Sequence, residues 1–140
     1  MKVWTSYFAK IDKLRLLGFN DFIAVSGYIP EFYKEAMNNN PLKKFVSFRR
    51  ILEFSPKKDW FFEWKNGKFG NDEYIKLYKE TVLNKLNSEQ ILKELKENSV
   101  LLCYEKPNDF CHRHLIAEWL REELNIECSE VDLERDERLI

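Results

Sequence analysis

Four consecutive residues, Cys111-His112-Arg113-His114, hold both histidines of the chain and one of its three cysteines. A cluster of this kind suits nucleophilic or anion-contacting chemistry, because a helix N-terminus and a neighbouring imidazolium or guanidinium each stabilise a thiolate. In that reading Cys111 is the nucleophile, His112 an acid/base, and Arg113 a clamp for phosphate or carboxylate, with His114 as a further ligand contact. Glu105, at the end of the strand before them, is a candidate general base. A packing reading accounts for the same residues. Free cysteine is among the most buried residue types, and His112 is then a satisfied half-buried histidine and Arg113 a solvated first-turn side chain. A metal centre from Cys103, Cys111, His112 and His114 fits less well. Its spacing, Cys-x7-Cys-His-x-His, is not a usual zinc pattern, and adjacent ligands rarely close one tetrahedron. The expectation is no metal and no cofactor.

These residues need a frame that brings strand ends to a helix start. Ser99-Val100-Leu101-Leu102-Cys103-Tyr104-Glu105 has the composition of a buried strand, Lys106-Pro107-Asn108-Asp109 that of a turn, and residues 111–124 that of an amphipathic helix. A last strand is expected at residues 126–131. Earlier in the chain, residues 3–8 read as a strand. Residues 10–17 follow as a helix that stops at Gly18. Phe22-Ile23-Ala24-Val25 is a short continuous apolar run, the pattern of a strand covered on both faces. Pro30 then opens a helix containing Phe32, Tyr33, Ala36 and Met37. Asn71-Asp72-Glu73 starts a helix whose apolar stripe runs from Tyr74 to Leu86, and a further helix begins at Ser88 with a capping-box opening, Ser-Glu-Gln-Ile. Strands alternating with helices predict a single α/β domain with a mainly parallel sheet of about four strands and helices on both faces. In such sheets ligands sit outside the carboxyl ends of the strands. That rule adds Thr5 and Ser6 from the first strand, and Ser26 and Tyr28 from the second, to the candidate ligand contacts.

Residues 40–70 fit no single period and read as an irregular, aromatic-rich insertion. Trp60-Phe61-Phe62-Glu63-Trp64 suits the wall of a pocket that stacks a flat substrate, or a satellite core under a loop. Lys43, Lys44, Arg49 and Arg50 around Phe45 and Phe48 form a small basic and aromatic face. An alternative function follows from it, a noncatalytic interaction module using residues 43–69.

The whole chain of 140 residues carries a formal charge of −1, with 23 Lys plus Arg against 24 Asp plus Glu. Charge-driven nonspecific binding to nucleic acid is therefore not expected, although a local basic patch is compatible with this balance. The expected partner is an anionic small molecule or nucleic acid, not a membrane. No apolar run reaches the roughly 20 residues of a membrane span, and the first residues lack the apolar segment of a signal peptide. A cytoplasmic protein with reduced thiols is the expectation, since a disulfide framework normally pairs an even and larger set of cysteines.

The run Leu101-Leu102-Cys103-Tyr104-Glu105-Lys106-Pro107-Asn108-Asp109-Phe110-Cys111-His112-Arg113-His114-Leu115-Ile116-Ala117-Glu118-Trp119-Leu120 closely resembles the signature of the domain-of-unknown-function family 488. The opening Val3-Trp4-Thr5-Ser6-Tyr7 and the Ile29-Pro30 pair agree with it. The resemblance implies a compact α/β domain whose Cys-His-Arg element is a candidate site, and it brings no established reaction. Many members resembling this chain place an arginine just after the second strand. Here that position holds Ser26-Gly27-Tyr28, so a second cationic clamp from that loop is not expected.

Overall fold

Apolar side chains on both faces put β2 (Asp21–Ala24) and β4 (Val100–Cys103) inside the sheet, and every residue of both strands is buried. The computed structural model describes residues 1–39, 45–105 and 110–133. Within them the chain runs β1 (Lys2–Tyr7), α1 (Ile11–Leu16), β2, α2 (Glu31–Asn39), β3 (Ser47–Arg50), α3 (Lys58–Lys65), α4 (Asn71–Thr81), α5 (Ser88–Glu94), β4, α6 (His112–Glu123) and β5 (Glu127–Glu130). The five strands form one sheet in the order β3-β2-β4-β1-β5, and all four pairings are parallel. Parallel strands require crossovers, and the helices supply them on both faces. No helix among the described residues is long and apolar enough to cross a membrane.

The α/β reading holds, with one strand more than expected. The added strand, β3, lies in the segment read as an insertion. It has a single apolar residue, Phe48, and all four of its residues are only half buried, so an edge position left it with almost no hydrophobic pattern to read. The aromatic run beyond it forms α3, with Trp60 buried and Phe61 and Trp64 packed against the core beside it. Lys43, Lys44 and the turn at 106–109 lie outside the described residues. At α5 the cap differs from the expected box. Asn87 precedes the helix, and its Oδ1 accepts the Gln90 N–H at 3.1 Å, the role that asparagine performs well at this position.

Two cores cover the sheet. On one face Phe8, Ile11 and Leu14 join Tyr33 of α2 against Phe22, Val100 and Leu102. On the other, Trp60, Tyr74, Tyr78 and Ile91 from α3–α5, with Ile116 and Leu120 of α6, pack on Ile23, Val25 and Leu101. The chain therefore leaves β1 and β2 toward one face and leaves β4, their shared neighbour, toward the other. Loops that diverge at adjacent strand ends open a crevice between them, and the chain after β4 diverges from that of both neighbours.

Candidate functional site

Cys111 immediately precedes α6 in an extended conformation (φ −152°, ψ 141°) and lies against the end of β4. Its sulfur meets that of Cys103, with the two Cα atoms 7.6 Å apart, farther than a relaxed disulfide spans, while Cys128 is buried on β5. The spacing did not show this meeting of sulfurs, because contact between a strand end and the next helix start depends on the crossover.

His112 opens α6 with 5% of its surface exposed. Its Nε2 lies 2.8 Å from the Val25 carbonyl at the end of β2. Burial is the largest influence on the ring and lowers its pKa to about 4; the Val25 bond opposes that shift, and the charges of Arg113 and His114 add to it. Near neutral pH the ring is uncharged. Since a carbonyl can only accept, Nε2 carries the proton, and Nδ1, 3.9 Å from the Cys111 sulfur, presents a lone pair. His112 is equipped to accept a proton at Nδ1.

Arg113, read as an anion clamp or a solvated side chain, has no exposed surface. It points into the carboxyl edge of the sheet. Nε and Nη2 donate to the two Glu130 oxygens at 3.1 and 2.9 Å, and Nη1 donates to the Glu105 carbonyl at 2.6 Å and to the Cys103 sulfur at 2.7 Å. The guanidinium also sits 5.9 Å from the centre of the Tyr7 ring. One side chain from α6 thereby ties together the ends of β4 and β5 and packs on the end of β1. The Thr5 hydroxyl donates to the same Glu130 carboxylate and is buried. Ser6 is fully buried and pairs with Leu102, which turns it toward the α1 and α2 face. His114, half buried, donates its backbone N–H to the Cys111 carbonyl at 3.2 Å. None of these four lines the cleft described next.

A cleft of about 620 Å³ opens beside Cys111 and His112, within the usual size range of small-molecule sites. Glu105 completes its floor, and Ser26 and Tyr28 form the lip after β2. The opposite wall is aromatic: Phe61, Phe62 and Trp64 of α3, Tyr74 of α4, and Phe110. The Tyr74 ring meets Trp64 edge-on at 4.7 Å and Phe110 at 4.8 Å, and the Trp64 indole N–H donates to Asn71 Oδ1 at 3.0 Å. Burial, and then the charge of Glu105, push the Tyr74 phenol well above its ordinary pKa. Three cations, Arg50, Lys58 and Lys65, also line the cleft. Arg50 Nη2 donates to the Ser26 and Gly27 carbonyls at 3.1 and 3.2 Å, and Lys58 Nζ lies 5.7 Å from the centre of the Tyr28 ring.

The structure thus gathers Cys111, His112, Glu105, Ser26 and Tyr28 at one cleft and assigns Arg113, Thr5, Ser6 and His114 to the surrounding frame. Sequence reasoning did not place Arg50, Lys58, Lys65, Tyr74 or Phe110 at the site. No pattern in the sequence marks Arg50 as a strand end, because β3 lies at the edge of the sheet. For a metal, Cys103, Glu105 and Cys111 offer donor atoms within 4.8 Å of one another, two thiols and a carboxylate.

Fold and cleft together define a small doubly wound α/β domain with a ligand-sized crevice at the carboxyl edge. A family model described as the active DUF488-N3 subclade matches residues 27–124, more than half of the chain, and the protein belongs to the DUF488 family. The matched span runs from the lip of the cleft through the aromatic wall to the residue after α6, leaving out β1, α1, β2 and β5. No curated protein and no solved structure matches the chain.

Proposed function

We propose that the cleft binds and acts on an anionic ligand with a flat aromatic part, a nucleotide or a nucleotide unit of a nucleic acid. The carrying observation is that one cleft of about 620 Å³ joins an aromatic wall and three cations to Cys111 and His112. A base stacked on Phe62 and Trp64 gains about 1–3 kcal/mol, and Arg50, Lys58 and Lys65 supply phosphate contacts that the overall charge of −1 does not. Ser26 and Tyr28 border the entrance. At the floor, His112 Nδ1 accepts a proton, Glu105 is a second base, and Cys111 is the nucleophile. Arg113 and Thr5 hold the strand ends that carry these groups. The description of the matched subclade as active agrees with an enzymatic reading.

Binding is tested by thermal unfolding with a nucleoside monophosphate, the matching nucleoside and inorganic phosphate. The nucleotide should raise the midpoint most, since it alone uses wall and cations together. Trp64→Ala should remove the gain due to the base, and the double variant Lys58→Ala, Lys65→Ala the gain due to phosphate. If mononucleotides and short single strands leave the midpoint unmoved, the reading fails. A second reading, the noncatalytic module, draws on the exposed rim, where Tyr28 and Phe62 are 55% and 41% exposed and meet edge-on at 6.2 Å. It is favoured if an oligonucleotide binds with Cys111→Ala affinity equal to wild type and emerges chemically unchanged.

A further inference from the structure

Cys103 and Cys111, whose sulfurs meet, are placed unequally. Cys111 lines the cleft, whereas Cys103 is 0% exposed at the end of β4 and faces the Arg113 guanidinium through the 2.7 Å contact of Nη1. His112 Nδ1 stands on the other side, 3.9 Å from the Cys111 sulfur. An incoming molecule can therefore reach one sulfur only, and the sulfur it cannot reach already has a cation beside it. A thiolate departs more readily the better it is stabilised.

We propose that Cys103 and Cys111 are a redox-active pair that exchanges with thiols entering the cleft, Cys111 being the sulfur attacked and Cys103 the sulfur that leaves. The co-reactant is a low-molecular-weight thiol. As it enters, its proton passes to His112 Nδ1 and its thiolate attacks the Cys111 sulfur. A mixed disulfide forms, the bond to Cys103 breaks, and the electron pair leaves on the Cys103 sulfur, where Arg113 stabilises it. A second thiolate then attacks the sulfur of the bound thiol. The external disulfide departs, and Cys111 leaves as a thiolate that takes the proton held on His112. Two electrons enter the protein and two external thiols become one disulfide. One proton rests on Cys111; the other is released to water while Cys103 stays ionised against Arg113. Run backward, the same steps oxidise the pair.

Cys128 lies outside this arrangement. It is buried on β5, and burial raises its thiol pKa to about 11, so it is a poor attacking group and serves as an internal control. The exchange needs no nucleotide and stands or falls apart from the ligand reading above.

The test equilibrates the folded protein, without nucleotide, in a series of reduced and oxidised glutathione mixtures, traps free thiols by alkylation and reads intact and peptide masses. The wild type should pass between two forms differing by two hydrogen atoms, with both changes at Cys103 and Cys111 and Cys128 unalkylated until denaturation. Cys103→Ala should retain one glutathione on Cys111, because no internal sulfur displaces it. Cys111→Ala should leave Cys103 without an adduct. The proposal is overturned by a wild type in which oxidised glutathione removes no thiols, by a pair that opens only after denaturation, or by an adduct on Cys103 in Cys111→Ala. The wild-type measurement decides the matter even if a variant does not fold.

Discussion

Two arginine–carboxylate pairs pin opposite edges of the same sheet. At the amino edge, Arg49 of β3 reaches Asp21 of β2 with two bonds of 2.9 and 2.8 Å, and the Ser99 hydroxyl donates to the same carboxylate. At the carboxyl edge, Arg113 makes the equivalent pair with Glu130, and Thr5 takes the place of Ser99. The chemistry is the same and the settings are not. The Arg49 side chain is 28% exposed and its carboxylate 5%, whereas Arg113 is 0% exposed and its carboxylate 21%. Each pair leaves one partner toward water, but at opposite charges. In addition, Arg113 contacts the Cys103 sulfur, while Arg49 pairs with carboxylate and carbonyl oxygens. Identical pairing therefore closes one edge as pure structure and, at the other, links stability to the state of the cleft floor.

The largest expected effect comes from removing the fully buried cation. Arg113→Ala strands the Glu130 carboxylate and the Glu105 carbonyl and should cost about 3–5 kcal/mol in urea unfolding. It should also slow thiol exchange at Cys111, because Cys103 then leaves without its guanidinium. A variant that unfolds at the wild-type urea concentration would show that the two pairs are not as different as their burial indicates.

Acid separates the edges next. The His112 pKa falls from 6.5 unfolded to about 4 folded, so the folded state binds this proton less well than the unfolded chain. Its stabilising effect is complete above pH 6.5 and is lost as pH falls toward 4, an amount of about 3 kcal/mol. At the other edge burial pushes the Asp21 carboxyl up, but the Arg49 and Ser99 hydrogen bonds and the charges of Arg49 and Lys96 outweigh it, and the net pKa lies below its ordinary 3.8. That contribution persists above 3.8 and is lost only as pH falls further. Urea midpoints between pH 7 and 4 should therefore decline in the wild type and flatten in His112→Gln. A slope that survives this substitution points to another titrating group.

Arg49→Ala should have the smallest effect, about 2 kcal/mol, from hydrogen bonds to a charged group that water replaces in part. Glutathione exchange and nucleotide binding should keep their wild-type midpoints in this variant. A change in either would mean that the amino edge is coupled to the cleft across the sheet.

The legible parts of this molecule are those written in consecutive residues. Phe22-Ile23-Ala24-Val25 and Val100-Leu101-Leu102-Cys103 announce covered strands, and Cys111-His112 after the second of them marks a strand end facing a helix start. Both residues do line the cleft. The direction of Arg113 was not legible, because its carboxylate partner comes from a strand with no pattern that marks the pairing. β3 was obscured by an edge position that demands little hydrophobicity. The same position made Arg50 resemble a solvated side chain, although it delivers a cation to the lip left without one after β2. The meeting of the Cys103 and Cys111 sulfurs was hidden for a related reason, since only the folded crossover brings them together.

The wall and the floor of the cleft come from different stretches of chain. Phe61, Phe62 and Trp64 belong to α3, between β3 and α4, while Glu105, Cys111 and His112 belong to the β4–α6 crossover. Phe62 is partly exposed, and its ring meets those of Phe61 and Tyr28. Mutational drift in α3 can therefore reshape what the crevice accepts while the reacting groups keep their positions. Such a division separates the helix that shapes the opening from the crossover that carries its floor.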